Sequence, residues 1–241
     1  MSTTTVNQVS SPYAIYENET KIASIPYEVL RVASQFVSKD YGKYLLMGIH
    51  LKVENDEITI ASTGNATDFG DLSAAKNGLC GAASSTRLIF AGGKTPSMIN
   101  VMEYVTIASA GNVTDFGDLT HTNAYFNTGN SNGTRGIFMG GSDIDSPYPA
   151  TDQIDYVTIA SAGNAIDFGS LNTSRYNAMG ASNSTRGVIA GGRIQPAPSL
   201  PATNLMEFVN IASTGNAFSF GELIEPENSG AGCSDSHGGL S

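Results

Sequence analysis

One fourteen-residue phrase returns four times along the chain: TIASTGNATDFGDL from Thr59, TIASAGNVTDFGDL from Thr106, TIASAGNAIDFGSL from Thr158 and NIASTGNAFSFGEL from Asn210. A fixed period constrains architecture more than any other sequence feature, because each unit must bury its faces against its neighbours. The recurring Phe falls at Phe69, Phe116, Phe168 and Phe220, giving intervals of 47, 52 and 52 residues. A second phrase alternates with the first: SSTRLIFAGG (84–93), NGTRGIFMGG (132–141) and NSTRGVIAGG (183–192), with a fragment, SDSHGGLS, at 234–241.

Each period reads as two hairpins and four strands. Asn132–Gly133 and Gly111–Asn112 are tight-turn signals, since both residue types tolerate positive φ. The segments EYVTIA and GIFMG are nearly continuous in apolar and β-branched residues, as expected of strands covered on both faces. The glycine pairs Gly92–Gly93, Gly140–Gly141 and Gly191–Gly192 end a strand, where they permit close backbone approach or a bulge. The loops that follow vary in length and are Pro-rich: KTPSMIN, SDIDSPYPATDQ and RIQPAPSLPATN. Such loops belong on the surface.

This pattern resembles the kelch class of β-propeller, in which a GG pair ends the second strand of each blade. The resemblance spans roughly residues 58–241 and departs where the usual Trp would stand, since the chain has no Trp. The four phrase Phe residues are expected to take its packing place. The wording is also similar to TRGxFxGG…DYxTIASxGNAxDFGxL repeats of structural proteins in tailed phages, marine and cyanobacterial ones especially. The resemblance implies an all-β fold, a small kelch-like β-propeller of about 50-residue repeats, within a virion component. On that basis residues 57–241 form the propeller, and 1–56 a non-repeat segment for packing or attachment.

Four blades are expected if the ring closes by pairing GAGCSDSHGGL (230–240) with EITIASTGNATDFGDL (57–72), because closure removes exposed edges. The alternative is that YGKYLLMGIHL (41–51) is a worn copy of the first hairpin's inner strand. The C-terminal piece would then begin a further blade. Asp68, Asp115 and Asp167 precede Arg87, Arg135 and Arg186 by 19, 20 and 19 residues, and in the fourth copy Ser219 and Gly238 replace both charges. These pairs are expected to be structural ion pairs, with Arg gripping a carboxylate.

The N-terminal segment holds one expected helix, with Ser24 as cap and Pro26 in the first turn. Its apolar face would be Val29, Val32, Ala33, Phe36 and Val37. No secretory signal pattern or membrane-length apolar run is evident.

The low charged fraction and abundant Gly, Ser, Thr and Asn disfavour long helices. A net charge of −10 argues against nucleic acid as partner. Cys80 and Cys233 read as free thiols with apolar character. His50, His121 and His237 lack metal-ligand spacing, and no P-loop, nucleophile elbow or paired carboxylates are found. DFG recurs without the kinase partner motifs, and the acidic SDIDS (142–146) lacks the ligand spacing of a calcium loop. No cofactor or metal is expected, nor an enzyme.

Binding is expected from the unlike loops, with Lys94, Asp143, Asp145, Tyr148 and Arg193 as contact residues. The expected role is a symmetric, homo-oligomeric virion protein of capsid, neck or tail. It would attach to other virion proteins through its N-terminal segment and adhere to host glycan or protein, or cement subunits. A cellular kelch-type binding module and a carbohydrate-active propeller enzyme are the alternatives.

Overall fold

The computed structural model describes residues 14–17, 20–24, 37–38, 43–46, 52–59, 65–121, 128–142, 149–194, 201–230 and 232, with side-chain surroundings at Glu57 and from residue 65 onward. All regular structure among them is β-strand. A hairpin of β1 (Ala14–Glu17) and β2 (Thr20–Ser24) comes first. The first four-stranded sheet holds β3 (Val37–Ser38), β4 (Lys43–Leu46), β5 (Lys52–Thr59) and β6 (Thr67–Lys76). The second uses β7 (Cys80–Ala83), β8 (Arg87–Ala91), β11 (Val101–Thr106) and β12 (Thr114–Asp118), with β9 (Lys94–Thr95) and β10 (Ser97–Met98) as a small hairpin in its loop. The third uses β13 (Thr128–Ser131), β14 (Arg135–Met139), β15 (Gln153–Thr158) and β16 (Ile166–Ser170). After β17 (Arg175–Tyr176), the fourth uses β18 (Met179–Ser182), β19 (Arg186–Ala190), β21 (Thr203–Asn210) and β22 (Phe218–Glu227), while β20 (Arg193–Ile194) pairs back with β17.

Each four-stranded sheet is an antiparallel meander in chain order, and the registers match. Arg87 pairs with Thr106, Arg135 with Thr158 and Arg186 with Asn210. Lys43 pairs with Thr59 in the same way, so β4 stands where β8 stands in the second sheet. The phrase DFG is a bulge. Met102 pairs with Gly117 and Glu103 with Asp115, so Phe116 is the extra residue, and the same shift recurs around Phe69, Phe168 and Phe220. A bulge bends its strand and re-aims one side chain; here the bend delivers Phe to the neighbouring sheet.

Three apolar layers lie between consecutive sheets. Phe69 and Leu72 pack with Leu88, Phe90 and Val105; Phe116 with Ile89, Phe138 and Val157; Phe168 with Ile137, Ile189 and Val209. In β11, adjacent residues Met102 and Glu103 project to opposite faces and both are buried, which explains the near-continuous apolar wording of these strands. The innermost strands are built from small residues. Ser131 Oγ donates to the Ala83 carbonyl at 2.5 Å and Ser182 Oγ to the Ser131 carbonyl at 2.8 Å. A Cβ on Gly129 would strike the Gly81 carbonyl, and one on Gly232 would strike the Gly180 carbonyl, so residue 232 extends this inner rank.

Several expectations are corrected. The segment 57–72 does not await the C-terminus, because β5 pairs with β4 on one side and β6 on the other. The nearby strand closes a short loop at lower entropic cost than one from the far end of the chain. The boundary between residues 56 and 57 falls inside β5, so the first sheet reaches back to Val37. Val37 lies in β3 and not on a helix; residues 25–36 lie outside the described residues. The expected tight turns are longer connections: β13 and β14 are joined by residues 132–134, with Asn132 Oδ1 accepting from Thr134 N at 3.0 Å and Arg135 N at 2.8 Å. Its amide does the work expected of a primed turn.

Phe116 is 2% exposed and Phe220 48%. Phe116→Ala should therefore cost about 3–5 kcal/mol in urea unfolding, and Phe220→Ala under about 1 kcal/mol. Equal losses would contradict the layered core.

Candidate functional site

The residues that recur most strictly meet at the sheet junctions. At the first, Gly111 N donates to the Phe69 carbonyl at 2.6 Å, Asp71 N to Asn112 Oδ1 at 3.1 Å, and Val113 N to the Asp71 carbonyl at 3.0 Å. At the second, the same three bonds link Gly163 to Phe116, Asp118 to Asn164 and Ala165 to Asp118, at 2.6, 3.1 and 2.8 Å. At the third they link Gly215 to Phe168, Ser170 to Asn216 and Ala217 to Ser170, at 2.7, 3.1 and 2.9 Å. The glycine carbonyl of each Gly-Asn turn occupies the place a Cβ would need on Gly70, Gly117 and Gly169, whose φ angles are 143°, 136° and 144°. Glycine is required twice over there, by conformation and by space.

The arginines support the same junctions. Arg87 lies 4.6 Å from the Tyr104 ring centre, and its Nη1 donates to the carbonyls of Ile159 at 3.2 Å and Ala160 at 2.8 Å in the third sheet. Arg135 lies 4.7 Å from Tyr156 and donates to Ile211 at 3.2 Å and Ala212 at 3.0 Å in the fourth. Arg186 lies 4.5 Å from Phe208. Tyr104 and Tyr156 meet Phe116 and Phe168 edge to face, so guanidinium, ring and ring form one stack.

The expected Asp–Arg ion pairs are not among the described ion pairs. Asp68, Asp115 and Asp167 are exposed on the bulge. Asp68 accepts from Gly70 N at 3.0 Å and Asp167 from Gln153 Nε2 at 2.8 Å. The charges that do join sheets are the buried acids of the third strand. Glu103 receives Lys76 Nζ at 2.7 Å and Ser73 Oγ from the preceding sheet. Asp155 receives Thr120 N at 2.9 Å and Thr120 Oγ1 at 2.6 Å. Glu207 receives Asn172 N at 2.7 Å and the Arg175 guanidinium. Burial pulls Arg175 below its ordinary pKa, and Glu207 opposes that pull. The aligned acids of MEYV, IDYV and MEFV are the signal that sequence reading passed over.

Among the candidate loop residues, Lys94 and Arg193 are described, and both are held by backbone pairing. Lys94 N donates to the Asn77 carbonyl at 2.9 Å; Arg193 pairs with Tyr176, and its Nε donates to Asn228 Oδ1 at 3.2 Å. Asp143, Asp145 and Tyr148 lie outside the described residues. Burial pushes the Cys80 thiol up, away from the reactive thiolate. Among the described residues no cluster of His, Cys, Asp and Glu has the makings of a metal site.

No family model and no curated protein matches the chain. A solved structure, "Structure of YjhT", resembles it with a TM-score of 0.66 at 8% identity, covering 82% of this chain and 67% of that one. That neighbour has a β-propeller-like fold, and the present chain shares the propeller-like arrangement of antiparallel sheets.

Arg175→Met strands a buried carboxylate and should lower stability by about 3–5 kcal/mol, whereas Arg175→Met with Glu207→Met should recover most of the loss. Chemical denaturation of the three proteins checks this. Site-resolved mass spectrometry after alkylation should find Cys80 unmodified in the native protein and modified in urea.

Proposed function

We propose that the chain is a non-enzymatic structural protein of a tailed-phage virion, built as a kelch-like propeller with each four-stranded sheet serving as one blade. The observation that carries this reading is how the recurring residues are used. Gly, Asn, Phe and Arg of the repeated phrases are spent on sheet-to-sheet bonds, as suits a protein whose work is to hold a shape. The wording of those phrases resembles repeats of phage structural proteins, which supports the virion setting. The unlike loops after the GG pairs, with Lys94, Asp143, Asp145, Tyr148 and Arg193, are the proposed contact face toward host glycan or protein. The N-terminal segment is the proposed attachment to other virion proteins, in several symmetric copies.

Mass spectrometry of particles purified from lysates of cells expressing the gene should recover the chain at a stoichiometry of several copies per particle. Particles free of it would overturn the virion reading. A glycan array without hits would leave the architectural role and remove adhesion.

A further inference from the structure

The junction between the first and second sheets buries a primary amine against a carboxyl group. Lys76 stands at the end of β6 and Glu103 inside β11, and each side chain is 3% exposed. Lys76 Nζ lies 2.7 Å from Glu103 Oε2, yet Oε2 accepts no hydrogen bond. The nitrogen therefore touches the carboxyl group without approaching as a hydrogen-bond donor does. The other carboxyl oxygen, Oε1, accepts from Ser73 Oγ. Both partners are held by backbone pairing: Glu103 with Phe90 on one side and Asp115 on the other, and Lys76 with Lys52. The Lys76 stem packs under Gly93, where an added Cβ would come to 3.4 Å from Lys76 Cβ.

Of the three described junctions, this one alone offers that chemistry. Arg175 takes the same place at the third, as the fourth residue after its layer leucine, and Glu207 accepts a hydrogen bond from it. A guanidinium keeps its proton and is no nucleophile. The second junction sets a hydroxyl, Thr120 Oγ1, on Asp155. A lysine amine, once it gives up its proton, attacks carbonyl carbon.

We infer that Lys76 and Glu103 join through an amide bond between Nζ and Cδ, a covalent staple from the first sheet to the second. The ammonium first passes a proton to the carboxylate it touches, which replaces two buried charges by two neutral groups. The freed lone pair of Nζ attacks Cδ, and the electron pair of the C=O bond moves onto Oε1, where the Ser73 hydroxyl meets it. The Cδ–Oε2 bond then breaks. Oε2 leaves as water, carrying the proton it first received and one more from Nζ, and the C=O bond to Oε1 forms again. Nothing is oxidised or reduced, and no co-reactant is consumed. The staple goes beyond the proposed structural role and does not depend on the virion setting.

Intact mass spectrometry of the folded chain should find it lighter than its sequence by one water. Digestion after unfolding should yield a branched peptide carrying both Lys76 and Glu103. Lys76→Arg keeps a cation before Glu103, as Arg175 does before Glu207, and should keep the full sequence mass with two separate peptides. Ser73→Ala should slow accumulation of the bond about a hundredfold, the scale of one lost oxyanion donor. Thermal melting confirms each fold; if Lys76→Arg does not fold, Lys76→Met with Glu103→Met replaces it and should also show the full mass. Wild-type protein that stays at its full sequence mass through prolonged incubation in the folded state overturns the inference. So does a missing water that maps to other residues, or one that persists when Lys76 is replaced. Particles free of the chain would overturn the virion reading and leave this result standing.

Discussion

A glycine carbonyl seated where a side chain would otherwise stand is the constraint on which the rest of the structure depends. At each junction the Gly-Asn turn approaches the bulged strand so closely that only Gly70, Gly117 or Gly169 can face it. That approach brings three hydrogen bonds into reach and lets the bulged Phe close the apolar layer beneath. A side chain at the glycine would separate the backbones, and bonds, Phe packing and the arginine grip would be lost together. The bulge, the glycine and the Asn are one device, which is why they recur as one phrase.

Polar contacts give each junction an individual character on top of this shared device. The buried acid is Glu103 opposite Lys76 and Ser73, Asp155 opposite Thr120, and Glu207 opposite Arg175 and Asn172. Exchanging the second and third sheets would set the shorter Asp155 before Lys76 and Glu207 before Thr120, with no cation there to meet its buried carboxylate. A buried charge deprived of its partner costs several kcal/mol. The repeated layers supply attraction that any pair of sheets would share, and the buried pairs disfavour wrong neighbours, an important safeguard in a chain of near-identical units.

Fold class and strand content were legible in the sequence because period, β-branched runs and turn residues all pointed the same way. The closing strand was expected at the C-terminus first because the first sheet's β4, KYLL, shares almost no wording with TRLIFAGG, and its register against Thr59 decides for the nearer strand that the sequence offered as the alternative. The ion pairs were misjudged for a related reason. Asp68, Asp115 and Asp167 recur with constant spacing, but constancy at a bulge reflects backbone geometry, whereas Glu103, Asp155 and Glu207 vary in identity and disappear into apolar strands. Gly-Asn was read as a local turn because local propensity carries no trace of a partner some forty residues away, where Asn112 meets Asp71.

A clasp made of unlike halves has a direction. The second, third and fourth sheets each offer a turn to the one before, seated against Gly70, Gly117 and Gly169 in turn. On the fourth sheet Phe218, Phe220 and Ile224 face solvent, interleaved with Ser219, Glu222 and Glu225. Charge on such an edge discourages indiscriminate strand pairing. At the three seated junctions selection rests instead on an Asn amide and correctly spaced carbonyls, because those bonds are made to the backbone. Each junction is thus selective in what it can clasp, which follows from holding sheets together through backbone geometry more than through side-chain stickiness.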